Sequence, residues 1–293
     1  MGVCSIRACP YPTTSAAPAQ QGGALCVMGC LPQRPSLYSM RKQQGTCIPA
    51  EGFSQPRKET PMEYRTLLLD ADGTLLDFPQ DMENAFLSLY KDFFASQRPY
   101  SLEYLACYDR CNAAWWAKLE RGECTKPQLY VGRFVDFLRE TGLTGTPERL
   151  TEEYFLRLGQ GGAVYPGALE LVERLAGKYS LYIVTNGNAS TQKTRLQNSG
   201  LLSFIKDYFV SEDAGAAKPD PRYFDYVFSR LPEADRETSL VIGDSLTSDI
   251  QGAVNAGLHS LYYHPEGSAS LEGCPPYTYE AASYEEIAGI LGV

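Results

Sequence analysis

The hydrophobic pattern changes character three times along the 293 residues. Up to residue 61 the apolar positions follow neither a helical nor a strand period. A short apolar run, Arg65–Asp70, then predicts a strand that ends in an acidic turn. Residues 80–160 show helical spacing with hardly any strand signal. Met82–Phe94 sets Phe86, Leu89, Tyr90 and Phe93 on one face. Leu102–Leu119 carries Leu105, Tyr108 and Trp115, and Pro127–Leu138 carries Leu129, Tyr130, Phe134, Phe137 and Leu138. These aromatic stripes read as core. Thr146-Pro147-Glu148 predicts a further helix start, with Thr as N-cap and Pro at the first helical position.

After Gly159–Gly162 and Pro166-Gly167 the pattern alternates. Leu181–Thr185, Tyr208–Ser211, Leu240–Asp244, Ser260–Tyr263 and Tyr277–Tyr279 read as strands. Thr191–Gln197, Pro221–Ser229, Ser248–Ala256 and Tyr284–Leu291 read as helices. Strands alternating with helices predict an α/β fold, a parallel sheet covered on both faces. The helical block follows the first strand, so an inserted helical cap over 80–163 is expected, on a core of 62–79 and 164–293.

Composition sharpens the break near residue 61. Residues 1–61 carry six Lys/Arg against two Glu, so the net charge of −9 divides into +4 there and −13 in the remaining 232 residues. The same stretch holds Cys4, Cys9, Cys26, Cys30 and Cys47 and is rich in Pro, Gly, Gln and Ser. It is expected to be a disordered or non-native extension, with Met62 as the functional start. Ala24–Pro32 is too short and broken for a secretory signal, and no run of about 18 apolar residues predicts a membrane span. Cys107 and Cys111 stand four apart on a predicted helix, but no other Cys or His pair completes a metal site, so they read as buried thiols. Reduced thiols and no export signal point to the cytoplasm. A pI near 4.9 argues against a nucleic-acid polymer as partner. His259 and His264 are the chain's only histidines, which excludes a three-histidine metal centre.

The candidate chemistry sits where strands end, the place where open α/β sheets bind ligands. Asp70-Ala71-Asp72-Gly73-Thr74 follows the first strand. Thr185-Asn186-Gly187 follows the second, and Lys218-Pro219 and Gly243-Asp244, with Asp249 five residues on, come later. Two acids on a glycine turn plus Asp244 make a hard oxygen site suited to Mg²⁺. Three crowded acids repel without a cation, and Lys218 is a candidate counter-ion. Thr185 and Asn186 offer a hydroxyl and N–H donors for phosphate oxygens. Alone, each of these motifs is equally an ordinary cap or turn. Falling in order after successive strands, they point to one site.

The set resembles the haloacid dehalogenase (HAD) superfamily of phosphatases. Asp70-Ala71-Asp72-Gly73-Thr74 is similar to its first motif, Thr185 to its second, Lys218 to its third, and Gly243-Asp244-Ser245-Leu246-Thr247-Ser248-Asp249 to its fourth. Phe78, Leu119–Thr125, Gly132-Arg133-Phe134, Thr185-Asn186-Gly187 and Ala217-Lys218-Pro219 look like the YjjG/YfnB-type pyrimidine 5′-nucleotidases. The resemblance implies a Rossmann-like parallel-sheet core with an inserted helical C1 cap. It implies Asp70 as nucleophile and Asp72 as general acid and base. It implies Mg²⁺, with Mn²⁺ as an alternative, on Asp70, the Asp72 carbonyl and Asp244, and Asp249 ordering the water shell. Thr185, Asn186 and Lys218 hold the phosphoryl group in this reading.

Substrate choice then falls to the cap, with Arg121, Thr125 and Arg133 as candidates. The competing role for Arg133 is an ion pair with Asp136 or Glu140. The expected substrate is a small phosphate monoester, a pyrimidine nucleoside 5′-monophosphate such as UMP, dUMP or dTMP. A sugar-phosphate or phosphoglycolate phosphatase, a phosphomutase, a dehalogenase and a non-catalytic phosphate-binding module are the alternatives. A monomer or weak homo-oligomer is expected, with no membrane partner.

Overall fold

The computed structural model describes residues 63–265 and 274–293. The expectations for residues 1–61 and for Met62 lie outside the described residues. The chain runs β1 (Thr66–Leu69), α1 (Phe78–Phe93), α2 (Leu102–Glu120), α3 (Lys126–Thr141), α4 (Pro147–Leu158), α5 (Ala168–Ala176), β2 (Ser180–Thr185), α6 (Ala189–Asn198), β3 (Asp207–Val210) and α7 (Ser211–Ala214). It continues with α8 (Pro221–Arg230), β4 (Ser239–Gly243), a π-helical turn (Leu246–Ile250), α9 (Gln251–Asn255), β5 (His259–Tyr263), β6 (Tyr279–Ala281) and α10 (Tyr284–Leu291).

The strands form one parallel six-stranded sheet in the order β3-β2-β1-β4-β5-β6. The chain builds outward from β1 on one side and then returns to the other, so the strand order reverses at β1 and β4. Both sheet faces are covered. Leu67, Leu69, Leu181, Ile183, Leu240 and Ile242 pack with α5 and α10 on one face. Leu68, Tyr182, Val184 and Val241 pack with α8 on the other. This is why the strands read as continuous apolar runs rather than as alternating ones.

Helices α1–α4 lie between β1 and β2 and have their own core. Phe86, Tyr90, Phe94, Tyr108, Phe134, Phe137 and Tyr154 are fully buried there. Phe86 stacks on Tyr108 at 4.8 Å and meets Phe137 edge-on at 5.5 Å, geometries that add to plain area burial. Thr146 stands at the N-cap position of α4 without a side-chain capping hydrogen bond, and Pro147 opens the first turn. Cys107 and Cys111 are buried, and both thiols face Glu140, which also pairs with Arg110 at 3.0 Å.

Some boundaries differ from the pattern's reading. The last strand is shifted two residues, to Tyr279–Ala281. Helix α5, which the pattern reading above does not place, buries Ala168, Leu171, Val172 and Leu175, the i, i+3, i+4, i+7 set of an amphipathic helix. The helix expected over Ser248–Ala256 is divided, with a π turn preceding α9. Such turns are frequent at functional sites, and this one carries Asp249.

Candidate active site

Each strand end delivers one group to the reversal point. Asp70 directly follows β1 and its N–H is held by the Ile242 carbonyl of β4 at 2.8 Å. Gly73 turns the chain back at φ +93°, and a Cβ there would lie 2.6 Å from a carboxylate oxygen of Asp244. No side chain fits this position on either ground. The Thr74 hydroxyl then lies 3.3 Å from Asp70 Oδ2 and 3.1 Å from Asp244 Oδ1.

Lys218 is buried at the centre. Its ammonium donates to Asp70 Oδ1 at 2.7 Å, Asp249 Oδ1 at 2.6 Å and the Val184 carbonyl at 2.7 Å. All three of its donors are thus used. Burial alone would lower its pKa, but the carboxylates of Asp249 and Asp70 outweigh burial and raise it, so it stays charged. Asp70 is held well above the usual carboxylate range, by burial first and by Asp249 next, against the pull of Lys218. Asp249 is raised by burial and by Asp244, also against Lys218.

Asp70, Asp244 and Asp249 each place an oxygen within 4.8 Å of the others. Lys218 donates to two of these three buried carboxylates, Asp70 and Asp249. An all-oxygen donor set of this kind fits a hard divalent cation. The Asp72 side chain is not part of the trio. Its Oδ1 accepts from Arg195 Nη1 at 2.5 Å and its Oδ2 from Gln192 Nε2 at 2.6 Å.

Thr185, at the end of β2, accepts from the Gly187 N–H at 3.0 Å and from Gln192 Nε2 at 2.8 Å. With its lone pairs engaged, the hydroxyl proton is free to donate outward. The Asn186 side chain is structural. It donates to the Lys218 carbonyl at 2.8 Å and to Ser248 Oγ at 3.2 Å, and accepts from the Lys218 N–H at 2.9 Å. It therefore ties three of the site's loops together.

These groups form the floor of a cavity of about 510 Å³, the size range of small-molecule sites. Its opposite wall is one face of α2, namely Asn112, Ala113, Trp116, Ala117 and Glu120, with Phe78 from α1. Glu120 is raised by burial and accepts from Thr247 at 3.0 Å, which bridges inserted helix and sheet. A second bridge joins Lys126 to the Gly187 carbonyl at 2.9 Å, and Tyr130 to Glu212 at 2.6 Å.

The three expected specificity residues do not line this cavity. Arg121 is exposed and pairs with Glu123 at 2.6 Å. Thr125 is exposed at the start of α3, where it forms a capping box with Gln128. Arg133 is buried, and its partner is Asn112 at 2.9 Å rather than Asp136 or Glu140. Those two acids serve Trp115 and Arg110 instead. The cavity face of α2 had a readable signal that the aromatic stripe obscured. Asn112, Trp116 and Glu120 recur every four residues, which puts them on one helix face. Gln192 and Arg195, three apart on the helix after Thr185-Asn186-Gly187, had the same kind of signal.

A parallel sheet that gathers a DxD turn, a threonine, a lysine and two further acids at its strand-order reversal defines a hydrolase of the phosphoryl-transfer type. The chain belongs to the haloacid dehalogenase-like hydrolases, whose family model matches residues 64–257. It is 39% identical over 230 residues to the HAD-hydrolase YfnB of Bacillus subtilis, covering 78% of this chain and 96% of that one. It is 33% identical over 231 residues to the pyrimidine 5′-nucleotidase PynA of Streptococcus pneumoniae, with 78% and 96% covered. It is 30% identical over 230 residues to the pyrimidine 5′-nucleotidase YjjG of Escherichia coli, with 78% and 99% covered. The crystal structure of YfnB bound to magnesium shares the fold with a TM-score of 0.73 at 38% identity, over 79% of this chain and 100% of that one.

Proposed function

We propose that the chain is a Mg²⁺-dependent phosphatase of pyrimidine nucleoside 5′-monophosphates, working through an aspartyl-phosphate on Asp70. The observation that carries this reading is the placement of Asp70, Thr185, Lys218, Asp244 and Asp249 on one floor beneath an aromatic and amide-bearing wall. Similarity to PynA and YjjG over nearly their whole lengths supports the nucleotide as substrate.

Asp70 would attack phosphorus as its carboxylate, forming a P–O bond while the ester P–O bond breaks. Lys218 holds that carboxylate in place, and Thr185 donates its hydroxyl proton to a phosphoryl oxygen. A phosphoryl oxygen reaching Lys218 has to exchange with one of its present acceptors. Asp72 gives a proton to the leaving oxygen and then takes one from the water that releases phosphate from Asp70. To do so it has to leave Gln192 and Arg195. Asp70, Asp244 and Asp249 would hold Mg²⁺, or Mn²⁺, which when bound neutralises charge on the phosphoryl oxygens. Helices α1–α4 act as a cap over the nucleophile, and opening of the Lys126 and Glu120 bridges admits substrate. Cys107, Cys111 and Cys124 are free thiols, which fits a cytoplasmic enzyme.

The test is Mg²⁺-dependent phosphate release from UMP, dUMP and dTMP against sugar phosphates and phosphoglycolate. A preference for the nucleotides is expected. Equal rates for sugar phosphates would sink the pyrimidine reading, and turnover retained by Asp70→Asn would sink the aspartyl-phosphate.

A further inference from the structure

Arg133 is a costly residue in its place. It is 2% exposed within the core of the inserted helices, with its guanidinium 4.7 Å from the Tyr154 ring centre and 5.1 Å from that of Phe155. Nε and Nη2 are buried without a hydrogen-bond partner among the described residues, and Nη1 donates to Asn112 Oδ1 at 2.9 Å. Burying a guanidinium with two nitrogens unpaired costs desolvation energy that these ring contacts and one hydrogen bond offset only in part.

What that hydrogen bond does follows from donor chemistry. An arginine has donors and no acceptor, so it can meet only the oxygen of an amide. Arg133 therefore fixes which way the Asn112 amide is turned, with Oδ1 toward the guanidinium. Asn112 also lines the cavity, one helical turn before Trp116 on the same face of α2. Nδ2 is the atom of that amide left to meet a ligand, and it is a donor. Ala113 and Ala117 leave room beside it, while Trp116 offers an aromatic face for a planar ring.

We infer that Asn112, oriented by Arg133, donates its amide N–H to the C2 carbonyl of a pyrimidine base lying against Trp116. Uracil, thymine and cytosine share this carbonyl, and adenine has no carbonyl at all. One donor thus favours every pyrimidine without choosing among them. Arg133 is a positioning residue here, because it acts on the substrate only through Asn112. The inference rests on the nucleotidase reading above.

The test compares kcat/KM for UMP and CMP with kcat/KM for ribose 5-phosphate, which has the same phosphate and sugar but no base. The wild-type enzyme is expected to prefer both nucleotides. In Asn112→Asp the carboxylate keeps the Arg133 contact and loses the N–H, so the preference falls about tenfold or more. Arg133→Met fills the aromatic cage without a charge and frees the amide to turn. It is expected to lower the preference mainly through KM, with partial rescue by Arg133→Lys. A purely structural role would lower turnover of UMP and ribose 5-phosphate equally. A wild-type preference for nucleotides that survives in both Asn112→Asp and Arg133→Met overturns the inference and leaves the nucleotidase reading standing. A wild-type enzyme without that preference overturns the nucleotidase reading, and this inference with it.

Discussion

Asp244→Asn should make the metal-free protein more stable and the metal-loaded protein less so. The carboxylate oxygens of Asp70, Asp244 and Asp249 lie within 4.8 Å of one another. Lys218 spends its three donors on Asp70, Asp249 and the Val184 carbonyl. One like-charge pair at this separation costs about 3 kcal/mol at an effective dielectric constant of about 20. Proton uptake by Asp70, whose pKa is raised by burial and Asp249, relieves part of that cost. The charge on Asp244 is then worth about 1–3 kcal/mol of destabilisation without a cation. Asparagine has the same shape, keeps an oxygen for Thr74, and clears Gly73 as well as aspartate does. At about 2–4 °C per kcal/mol for a chain of this size, Tm in EDTA should rise by about 2–12 °C.

Mg²⁺ reverses the order. At about 100 times Kd a ligand that binds only the folded state adds about 2.7 kcal/mol, or about 5–10 °C. The wild-type protein should show that increment and Asp244→Asn should lose most of it, along with a fall in kcat of about 10²-fold or more. Thermal unfolding of both proteins with EDTA and with excess Mg²⁺ reads all four states. A variant that is less stable than wild type in EDTA, or one that gains as much from Mg²⁺, would refute a cation site built from this trio.

Two further outcomes follow from buried charge elsewhere. Arg195 is 1% exposed and pairs with Asp72 at 2.5 Å and Asp81 at 2.8 Å, while Asp81 also accepts the N–H groups of Gly162 and Ala163. Arg195→Met should cost about 3–5 kcal/mol in urea unfolding and lower kcat through misplaced Asp72, with Arg195→Lys recovering part of both; an unchanged kcat would break the link to Asp72. Lys126 is pushed down to about 8 by burial, against the opposing pull of Glu212. The folded state therefore sheds this proton near pH 8 while the unfolded chain keeps it to its ordinary value of 10.5, so stability gains as pH rises across that interval. Lys126→Met should lack the gain in urea titrations at the two ends of the interval, and a parallel response of both proteins would rule out Lys126 as its source.

What the sequence showed and what it concealed divide along one physical line. The sheet and its site groups were legible because strand ends are local. An apolar run followed by Asp70, Thr185 or Asp244 places that residue at the sheet's C-terminal edge whatever the rest of the chain does. The wall of the cavity is not local. Its residues are fixed by how α2 lies against the sheet: the four-residue recurrence of Asn112, Trp116 and Glu120 marks a common helix face, and only the packing turns that face to the floor. Arg121 and Thr125 entered as cap candidates through the resemblance of Leu119–Thr125, yet the structure spends them on Glu123 and on capping α3. Arg133 entered through the resemblance of Gly132-Arg133-Phe134, and its burial beside Asn112 gives it neither the expected direct contact nor the competing ion pair. A guanidinium among Tyr108, Phe134 and Tyr154 gains cation–π contact there, and its hydrogen bond to Asn112 links it to the cavity. That partner, Asn112, stands on the one helix whose buried face and cavity face are adjacent, so the residue that meets ligand and the residue that orients it belong to different helices. Specificity built through such a pair is invisible to motif spacing, because neither member is informative until the other is in contact with it.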